Sequence, residues 1–210
     1  MSDVTQRITG DESPEQIKSM LQEVEQDTNK MLEKNEKLES ELNQSSQVME
    51  ELRRDLEMVR REAHTDGLTG LSNRKSFDTE IERMISDASK DHFAISLLML
   101  DIDHFKVFND NYGHQIGDQV LRLLGRTLTE GIKGKDRAFR YGGEEFVILL
   151  PETNLTAAVA VANSLRKALG SKDVINRSSG ERLGRISMSV GAAEYAGKES
   201  VERFIERADS

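Results

Sequence analysis

A heptad repeat near the N-terminus restricts the fold of this chain more than any other feature. Apolar side chains recur at alternating steps of four and three residues, and the repeat contains no Pro or Gly. This spacing is typical of a coiled-coil seam. One amphipathic helix lying on a globular core is the less favoured interpretation, because the seam lasts almost seven heptads. We therefore predict a parallel homodimer. The repeat positions are Ile17, Leu21, Val24, Thr28, Met31, Asn35, Leu38, Leu42, Ser45, Met49, Leu52, Leu56, Val59 and Ala63.

Three seam positions are polar: Thr28, Asn35 and Ser45. Polar residues in a seam cost stability but specify register and strand number. By lowering the stability of one packing, they favour a seam that changes register or crossing angle to transmit a signal. No sensor domain is visible, so we expect the input to come from a signalling partner at the N-terminus or on the coiled coil.

Composition excludes several classes of function. The net charge of -9 argues against nucleic acid or an anionic membrane as a partner. A small anionic ligand would need a metal ion or local donors to offset the repulsion. The chain has no Cys, which excludes disulfides and thiolate metal sites and fits a reducing compartment. No membrane segment and no signal-peptide core is present, so we expect a cytoplasmic protein.

The pattern divides the chain into three parts. Residues 1–16 are predicted to be a disordered lead-in, residues 17–65 a dimeric coiled coil, and residues 66–210 a catalytic domain. In the last part, a helix over 75–89 precedes a buried strand that ends in "LDID", a loop leading into an amphipathic helix, and a hairpin around "RYGGEEF". A further helix, a strand and a last helix follow. This order predicts an α/β sandwich of ferredoxin-like plan.

Two acidic motifs lie where ligand sites of such sheets occur. Asp101 and Asp103 end the buried strand, and Glu144 and Glu145 stand at the tip of the hairpin. Neighbouring strands would bring these tips together, and converging carboxylates suit Mg²⁺ bound with substrate phosphates. Alternation along a strand allows only one of the two glutamates to face the metal. Either motif alone is more often a loop cap or an ordinary hairpin; together, and in this order, they favour a site.

Three segments carry a resemblance to a known family. "RYGGEEF", "DGLTGLSNR" at 66–74 and "DIDHFKVFNDNYGHQIGD" at 101–118 resemble the GGDEF family of diguanylate cyclases, in its Glu variant. The resemblance covers the chain from about Asp66 to its end. It implies a nucleotidyl-cyclase-type GGDEF domain that joins two GTP into cyclic di-GMP with release of pyrophosphate. It also implies a homodimer with one GTP per subunit, and Mg²⁺ as cofactor with Mn²⁺ as the alternative.

The resemblance also implies roles for individual residues. Asp101, the backbone carbonyl of Ile102 and Glu144 would ligate the metal. Glu144, or else Glu145, would be the base that takes the proton from the attacking 3′-OH. Asp103 would be structural.

The remaining residues implied by the resemblance contact the nucleotide. Two of them read the guanine edge, and a carboxylate there favours GTP over ATP. Others hold phosphate through a side chain or backbone N–H groups, and the two glycines leave room for the ligand. The residues that would contact guanine are Asn109 and Asp118. Those that would contact the rest of the nucleotide and its phosphates are His114, Phe105 and Lys106. The glycines that leave room for the ligand are Gly142 and Gly143.

Two departures from the family pattern affect function. "KGKD" at 133–136 has Lys133 where the product-inhibition motif Arg-x-x-Asp has arginine, with Asp136 retained. Lysine cannot reproduce a bidentate guanidinium contact, so we expect weak or absent product inhibition. The chain also ends before the family's phosphate-binding lysine and arginine, which predicts a truncated C-terminal end and puts the activity of this exact chain in doubt.

Two alternatives to an enzyme stay open at this point. One is a catalytically silent module of the same fold that binds GTP or cyclic di-GMP. The other is a structural coiled-coil adaptor whose globular end is a dimer clamp. Metal-dependent GTP binding separates the first alternative from the second, and turnover separates the enzyme from both.

Overall fold

The first helix, α1, spans Pro14–His64 in the computed structural model, which describes residues 14–176 and 180–210. It begins three residues before the predicted start, because Pro14 suits the first helical position and Glu15 complements the helix dipole. The lead-in predicted for 1–16 therefore does not include 14–16, and the rest of it lies outside the described residues. The helix ends one residue before the predicted boundary at 65.

No residue of α1 is buried in the single chain. Leu21, Met31 and Leu42 of the seam are 64%, 68% and 67% exposed. The chain divides into two units, one up to Met58 and one from Val59 to Ser210. The second unit contains all the remaining elements.

Strands and helices are interspersed among those elements. Asn73, Asn154 and Ser200 cap three of the helices by accepting a hydrogen bond from the backbone N–H three residues on. The elements are β1 (Ser72–Asn73), α2 (Arg74–Asp91), β2 (Ile95–Ile102), α3 (Phe105–Tyr112), α4 (His114–Gly131), β3 (Arg137–Arg140), β4 (Glu145–Pro151), α5 (Leu155–Gly170), β5 (Asp173–Ile175), β6 (Arg182–Arg185), β7 (Met188–Glu194) and α6 (Val201–Asp209).

The main sheet has the order β1-β3-β4-β2-β7. β2 lies between β4 and β7 and is antiparallel to both, and β3 is antiparallel to β4. Setting β1 aside, this is the strand order of a ferredoxin-like sheet, so the predicted plan is confirmed. The short β1 adds a parallel edge strand beside β3.

Alternation along β2 builds a hydrophobic core on each face of the sheet. Leu98, Leu100 and Ile102 point to a core shared with α4 and α5. Leu97 and Met99 point to the other core, which contains α2 and α6. Asp101 continues the second set, so its side chain is directed to the α2 and α6 side of the sheet edge.

Sequence reasoning missed three elements. The expected loop before the amphipathic helix contains α3, which is separated from α4 by Gly113 at φ 81°. β5 and β6 form a separate two-stranded sheet, and these strands are too short, at three and four residues, to show apolar alternation. β1 has only two residues and exists because it pairs with β3.

Candidate active site

Asp101 and the Gly-Gly-Glu-Glu turn meet at one edge of the sheet. Asp101 on β2 stands opposite Glu145 on β4 on one side and Ser189 on β7 on the other. Glu144 lies in the turn that precedes β4. Because β2 and β4 are neighbouring strands, the acidic tips of the two predicted motifs converge, as the ferredoxin-like plan requires.

The two glutamates have different surroundings. Glu145 begins β4 and is exposed, with its carboxylate lying over Gly142 so closely that a Cβ there would collide with it. Glu144 is partly buried and repelled by Asp101. The glycine at position 142 is therefore needed for the Glu145 side chain to lie across the turn.

The electrostatics of Asp101 and Glu144 favour a bound cation. Burial, followed by repulsion from Asp101 and then Glu145, raises the pKa of Glu144. Burial, followed by repulsion from Asp103 and then Asp209, raises the pKa of Asp101. Within residues 14–176 and 180–210, neither carboxylate forms an ion pair with Lys, Arg or His. A divalent cation between them would remove the repulsion.

Asp103 has a different environment from Asp101. The hydroxyls of Ser187 and Ser189 both donate to its carboxylate, the latter over 2.7 Å. Burial acts to raise its pKa, but these two hydrogen bonds, together with attraction by His104 and Arg166, outweigh burial and the pKa is lowered. Asp103 thereby joins the end of β2 to β7, which agrees with the structural role expected for it.

Asn109 and Asp118 come together where α3 packs on α4. Asn109 Oδ1 is buried and has no hydrogen-bond partner among the described residues. It lies against Gly117, where any Cβ would collide with it. Asp118 follows directly and is partly buried. An unsatisfied buried amide beside a carboxylate is the kind of polar pair that a ligand with N–H groups completes.

The N-terminus of α3 is open. Its N-cap residue, His104, has φ 58° and makes no side-chain cap. Phe105 is buried in the core, so only its backbone N–H can contact a ligand. The side chains of Lys106 and His114 are exposed at the starts of α3 and α4. Uncapped N–H groups of this kind bind phosphate readily.

A salt bridge holds the Gly-Gly turn in place. Arg140 Nη1 donates to both carboxylate oxygens of Asp66, over 3.1 and 3.0 Å. Its Nε donates to the carbonyl oxygen of Gly142 over 3.2 Å, and its Nη2 to that of Gly143 over 2.7 Å. Asp66 in turn accepts from the hydroxyl and the N–H of Thr69. The segment "DGLTG" therefore fixes the backbone of the turn through Arg140.

The end of α1 is tied to the same region. Asn73 donates to the carbonyl oxygen of Ala63 over 2.9 Å, and the Ser76 hydroxyl donates to that of His64 over 2.8 Å. β1, which contains Asn73, pairs with Phe139 and Arg140 of β3. Hydrogen bonds and strand pairing therefore connect the last turn of α1 to the residue that holds the Gly-Gly turn.

The metal ligands at this edge are too few to hold an ion without further ligands from water or substrate. In the described part of the chain, no three His, Cys, Asp or Glu side chains are grouped so that they could hold a metal ion by themselves. Two carboxylates are available, together with the backbone of Ile102, whose side chain is buried in the core. Such a set fits Mg²⁺, which commonly takes one or two carboxylates and completes its shell with water and phosphate.

Comparison with known proteins identifies the family. Residues 63–210 match the model of the diguanylate cyclase GGDEF domain. The chain belongs to the GGDEF family. It is 35% identical over 197 residues to the diguanylate cyclase VdcA of Vibrio cholerae, an alignment covering 94% of this chain. It spans only 57% of VdcA and 36% of the diguanylate cyclase DgcM of Escherichia coli.

Solved GGDEF structures resemble both parts of the chain. The coiled coil and GGDEF domain of DgcB from Caulobacter crescentus, in complex with c-di-GMP, gives a TM-score of 0.78 at 42% identity. That match covers 82% of this chain and 90% of the DgcB chain. The diguanylate cyclase SiaD from Pseudomonas aeruginosa, in complex with its activator SiaC, gives 0.68 at 30% identity, covering 93% of this chain and 74% of SiaD. The predicted fold class, a GGDEF domain preceded by a long helix, is thus confirmed.

Sequence reasoning about the GGDEF domain missed two features of the site. Gly117 was not singled out, although its lack of a side chain lets Asn109 reach its position. The pairing of Asp66 with Arg140 was also missed. Asp66 and Arg140 both lie inside the quoted motifs, but they are 74 positions apart, so only the fold reveals that they form a pair.

No helix within 14–176 or 180–210 is long and apolar enough to span a membrane.

Proposed function

We propose that this chain is the dimerising and catalytic part of a diguanylate cyclase that condenses two GTP into cyclic di-GMP and two pyrophosphates. The observation that carries the proposal is the convergence of Asp101 and Glu144, two carboxylates without a cationic partner in the described chain, at the sheet edge from which α3 starts. Because this GGDEF domain retains both carboxylates at the edge, we favour an enzyme over a structural adaptor.

The pocket between α3 and α4 holds guanine. Guanine offers N1–H and N2–H as donors, and adenine does not present this pair. Asp118 accepts from these donors, and the amide of Asn109, whose oxygen is buried without a partner, contacts the same base. The site therefore selects GTP over ATP.

The start of α3 holds the phosphates. The backbone N–H groups of Phe105 and Lys106 point out of an uncapped helix end, and the Lys106 ammonium adds a positive charge. His114 at the start of α4 lies near the nucleotide. Gly142 and Gly143 keep the facing turn free of side chains.

Asp101, Glu144 and the carbonyl of Ile102 are the residues that would hold Mg²⁺, with Mn²⁺ as the alternative. An ion bound there would supply positive charge opposite the phosphates. Glu144 accepts the proton from the 3′-OH of the other GTP. That oxygen forms a bond to the α-phosphorus, the bond between the α-phosphorus and its bridging oxygen breaks, and pyrophosphate leaves.

A single subunit is not sufficient for this reaction, because each GTP must present its 3′-OH to the other's α-phosphate. The exposed seam of α1 supplies the means of pairing with a second copy in a parallel homodimer. We place control of the reaction in the same helix, whose last turn is hydrogen-bonded to Asn73 and Ser76 in the catalytic unit.

The polar seam positions test this control. Replacing Thr28, Asn35 and Ser45 together by Leu should stabilise one packing and change the basal rate of product formation severalfold. The dimer itself should remain intact by light scattering. An unchanged rate in an intact dimer would refute control through the seam.

The decisive experiment compares the parent chain with Glu144→Gln in the presence of GTP and Mg²⁺, with products separated by chromatography. We expect cyclic di-GMP from the parent and a loss of about 10³-fold in the variant. Glu82→Gln, an exposed carboxylate on α2, is the control and should match the parent. Glu145→Gln separates the two candidate bases, since a loss in that variant alone would assign the base to Glu145. GTP binding without product would identify a silent binding module instead.

A further inference from the structure

An exposed arginine is stacked on the tyrosine of the "RYGGEEF" segment. The guanidinium carbon of Arg74, the first residue of α2, lies 4.5 Å from the centre of the Tyr141 ring. Tyr141 is itself fixed by the fully buried Phe77, whose ring meets it edge-on at 5.4 Å and 90°. The ring is thus a rigid support, and it holds a side chain that would otherwise move freely in solvent.

The N–H groups of Arg74 are free to bind a ligand. Among residues 14–176 and 180–210, no carboxylate lies within ion-pair distance of its guanidinium and no group accepts a hydrogen bond from it. Arg140, only one residue from Tyr141, is fully engaged by Asp66 and the two glycine carbonyls. Stacking uses the flat face of a guanidinium and leaves its N–H edge available, and that edge matches the oxygens of a phosphate.

Arg74 lies close to the acidic edge. The N–H of Tyr141 donates to the carbonyl oxygen of Glu145 over 2.9 Å, and Glu145 stands opposite Asp101. Two strand spacings therefore separate Tyr141 from Asp101, which is about 10 Å. A bound nucleotide with its sugar and phosphates spans this gap.

Arg74 and the guanine pocket lie on opposite faces of the sheet. α4, which forms part of the pocket, packs on the core that contains Leu100 and Ile102. Phe77, which supports Tyr141, belongs to the core on the other face. Arg74 therefore lies on the face toward which Asp101 is directed, and the guanine pocket does not occupy that face.

We propose that Arg74 contacts a phosphate of the nucleotide delivered by the partner subunit, with Tyr141 as its support. This role deepens the proposed function and rests on it. Arg74 orients the incoming nucleotide and offsets negative charge where two triphosphates meet; it exchanges no proton. The chain has a net charge of -9, and its acidic edge repels a second nucleotide. A positive charge at Arg74 reduces this repulsion.

The test compares Arg74→Ala and Arg74→Lys with Lys75→Ala. Lys75 is the adjacent exposed residue, so its replacement removes the same charge without touching Tyr141. We measure kcat for cyclic di-GMP, and separately the affinity for a non-hydrolysable GTP analogue with Mg²⁺. Thermal melting checks that each variant is folded.

We expect Arg74→Ala to lower kcat by about 10²-fold and to leave the affinity for the analogue unchanged. Arg74→Lys should recover only part of the loss, because an ammonium keeps the charge but not the flat stack. Lys75→Ala should equal the parent. A kcat in Arg74→Ala equal to that of Lys75→Ala overturns the proposal. An affinity that falls as far as kcat also overturns it, because Arg74 would then bind its own subunit's nucleotide.

Failure of the proposed function gives a different result. The parent chain would then make no cyclic di-GMP at all, and the role of Arg74 would fall with it. If the parent makes cyclic di-GMP and Arg74→Ala has the same kcat, only the role of Arg74 is rejected.

Discussion

The pairing of Asp66 with Arg140 is the contact of this site with the clearest energetic consequence. Both side chains are largely buried, at 22% and 16% exposure. Burial acts to raise the pKa of Asp66, but hydrogen bonds from Thr69 and from Arg140 outweigh it and lower the pKa. Removing one partner of such a pair leaves the other charge poorly compensated, which costs more than losing an exposed pair.

We therefore predict that Asp66→Asn lowers the free energy of unfolding by about 2 kcal/mol at neutral pH. It should also lower kcat, because Arg140 would no longer hold Gly142 and Gly143. A carboxyl group whose pKa is lowered on folding stabilises the protein above its unfolded pKa, and this contribution is lost as the pH falls through the folded pKa. The difference between parent and variant should thus disappear in strong acid. Urea unfolding of both proteins at a series of pH values measures this difference in the free energy of unfolding.

Asp78→Asn is the matched control for that experiment, since Asp78 is an exposed carboxylate on α2. Its stability should equal that of the parent at every pH. A loss in Asp66→Asn that stays constant down to strong acid would show that shape, and not charge, explains the effect.

At the residue scale, the sequence indicated the acidic residues but not their environments. Asp101 and Asp103 share one motif and one face, yet Ser187 and Ser189 donate to Asp103, and no hydroxyl within the described ranges donates to Asp101. Glu144 and Glu145 are adjacent, yet Glu144 is partly buried and Glu145 is exposed. These differences depend on neighbours distant in sequence, which a motif does not contain.

The elements differ in how well local pattern predicted them. α1 was predicted to within three residues at its start and one residue at its end, because its repeat is long and a Gly-containing segment follows His64. The caps at Asn73 and Asn154 are also local features, because an N-cap acts within its own turn. α3 was missed because it is only eight residues long, too short for a helical repeat to show, and its place is set by packing on α4.

The seam of α1 gives a prediction at the element scale. Leu56 belongs to the seam and Met58 does not, yet the two are almost equally exposed in the single chain, at 51% and 56%. We predict that Leu56→Glu dissociates the dimer, because paired charges would be buried in the interface, and that Met58→Glu leaves it intact.

Light scattering at micromolar concentration measures this difference. Product formation per chain should fall only in Leu56→Glu. Equal behaviour of the two variants, or a monomeric parent chain, would contradict dimerisation through this seam.

On the scale of the whole molecule, the turn at 133–136 bears on regulation by the product. The N–H of Lys133 donates to Asp136 Oδ2 over 3.2 Å, and the N–H of Asp136 donates to the carbonyl oxygen of Lys133 over 3.1 Å. The carboxylate therefore helps to close its own turn. The Lys133 side chain is exposed and carries a point charge where the family motif has a planar guanidinium.

We predict that cyclic di-GMP inhibits the parent chain weakly or not at all. Lys133→Arg should increase the affinity of the chain for cyclic di-GMP by about tenfold or more. Calorimetric titration with cyclic di-GMP measures the affinity, and initial rates measure the inhibition. Lys135→Arg in the same turn is the control. A low-micromolar inhibition constant for the parent would contradict this prediction.

The sequence by itself determined the long helix with its heptad seam, the order of the principal strands and helices, and the residues that define a GGDEF domain. These follow from local periodicity, turn chemistry and motifs, which act over a few residues. Only the tertiary structure decided that Arg140 reaches Asp66, that Asn109 closes on Gly117 and that Arg74 rests on Tyr141. Each of these contacts joins segments that only sheet pairing or helix packing brings together, so no single stretch of the chain contains the information that specifies it.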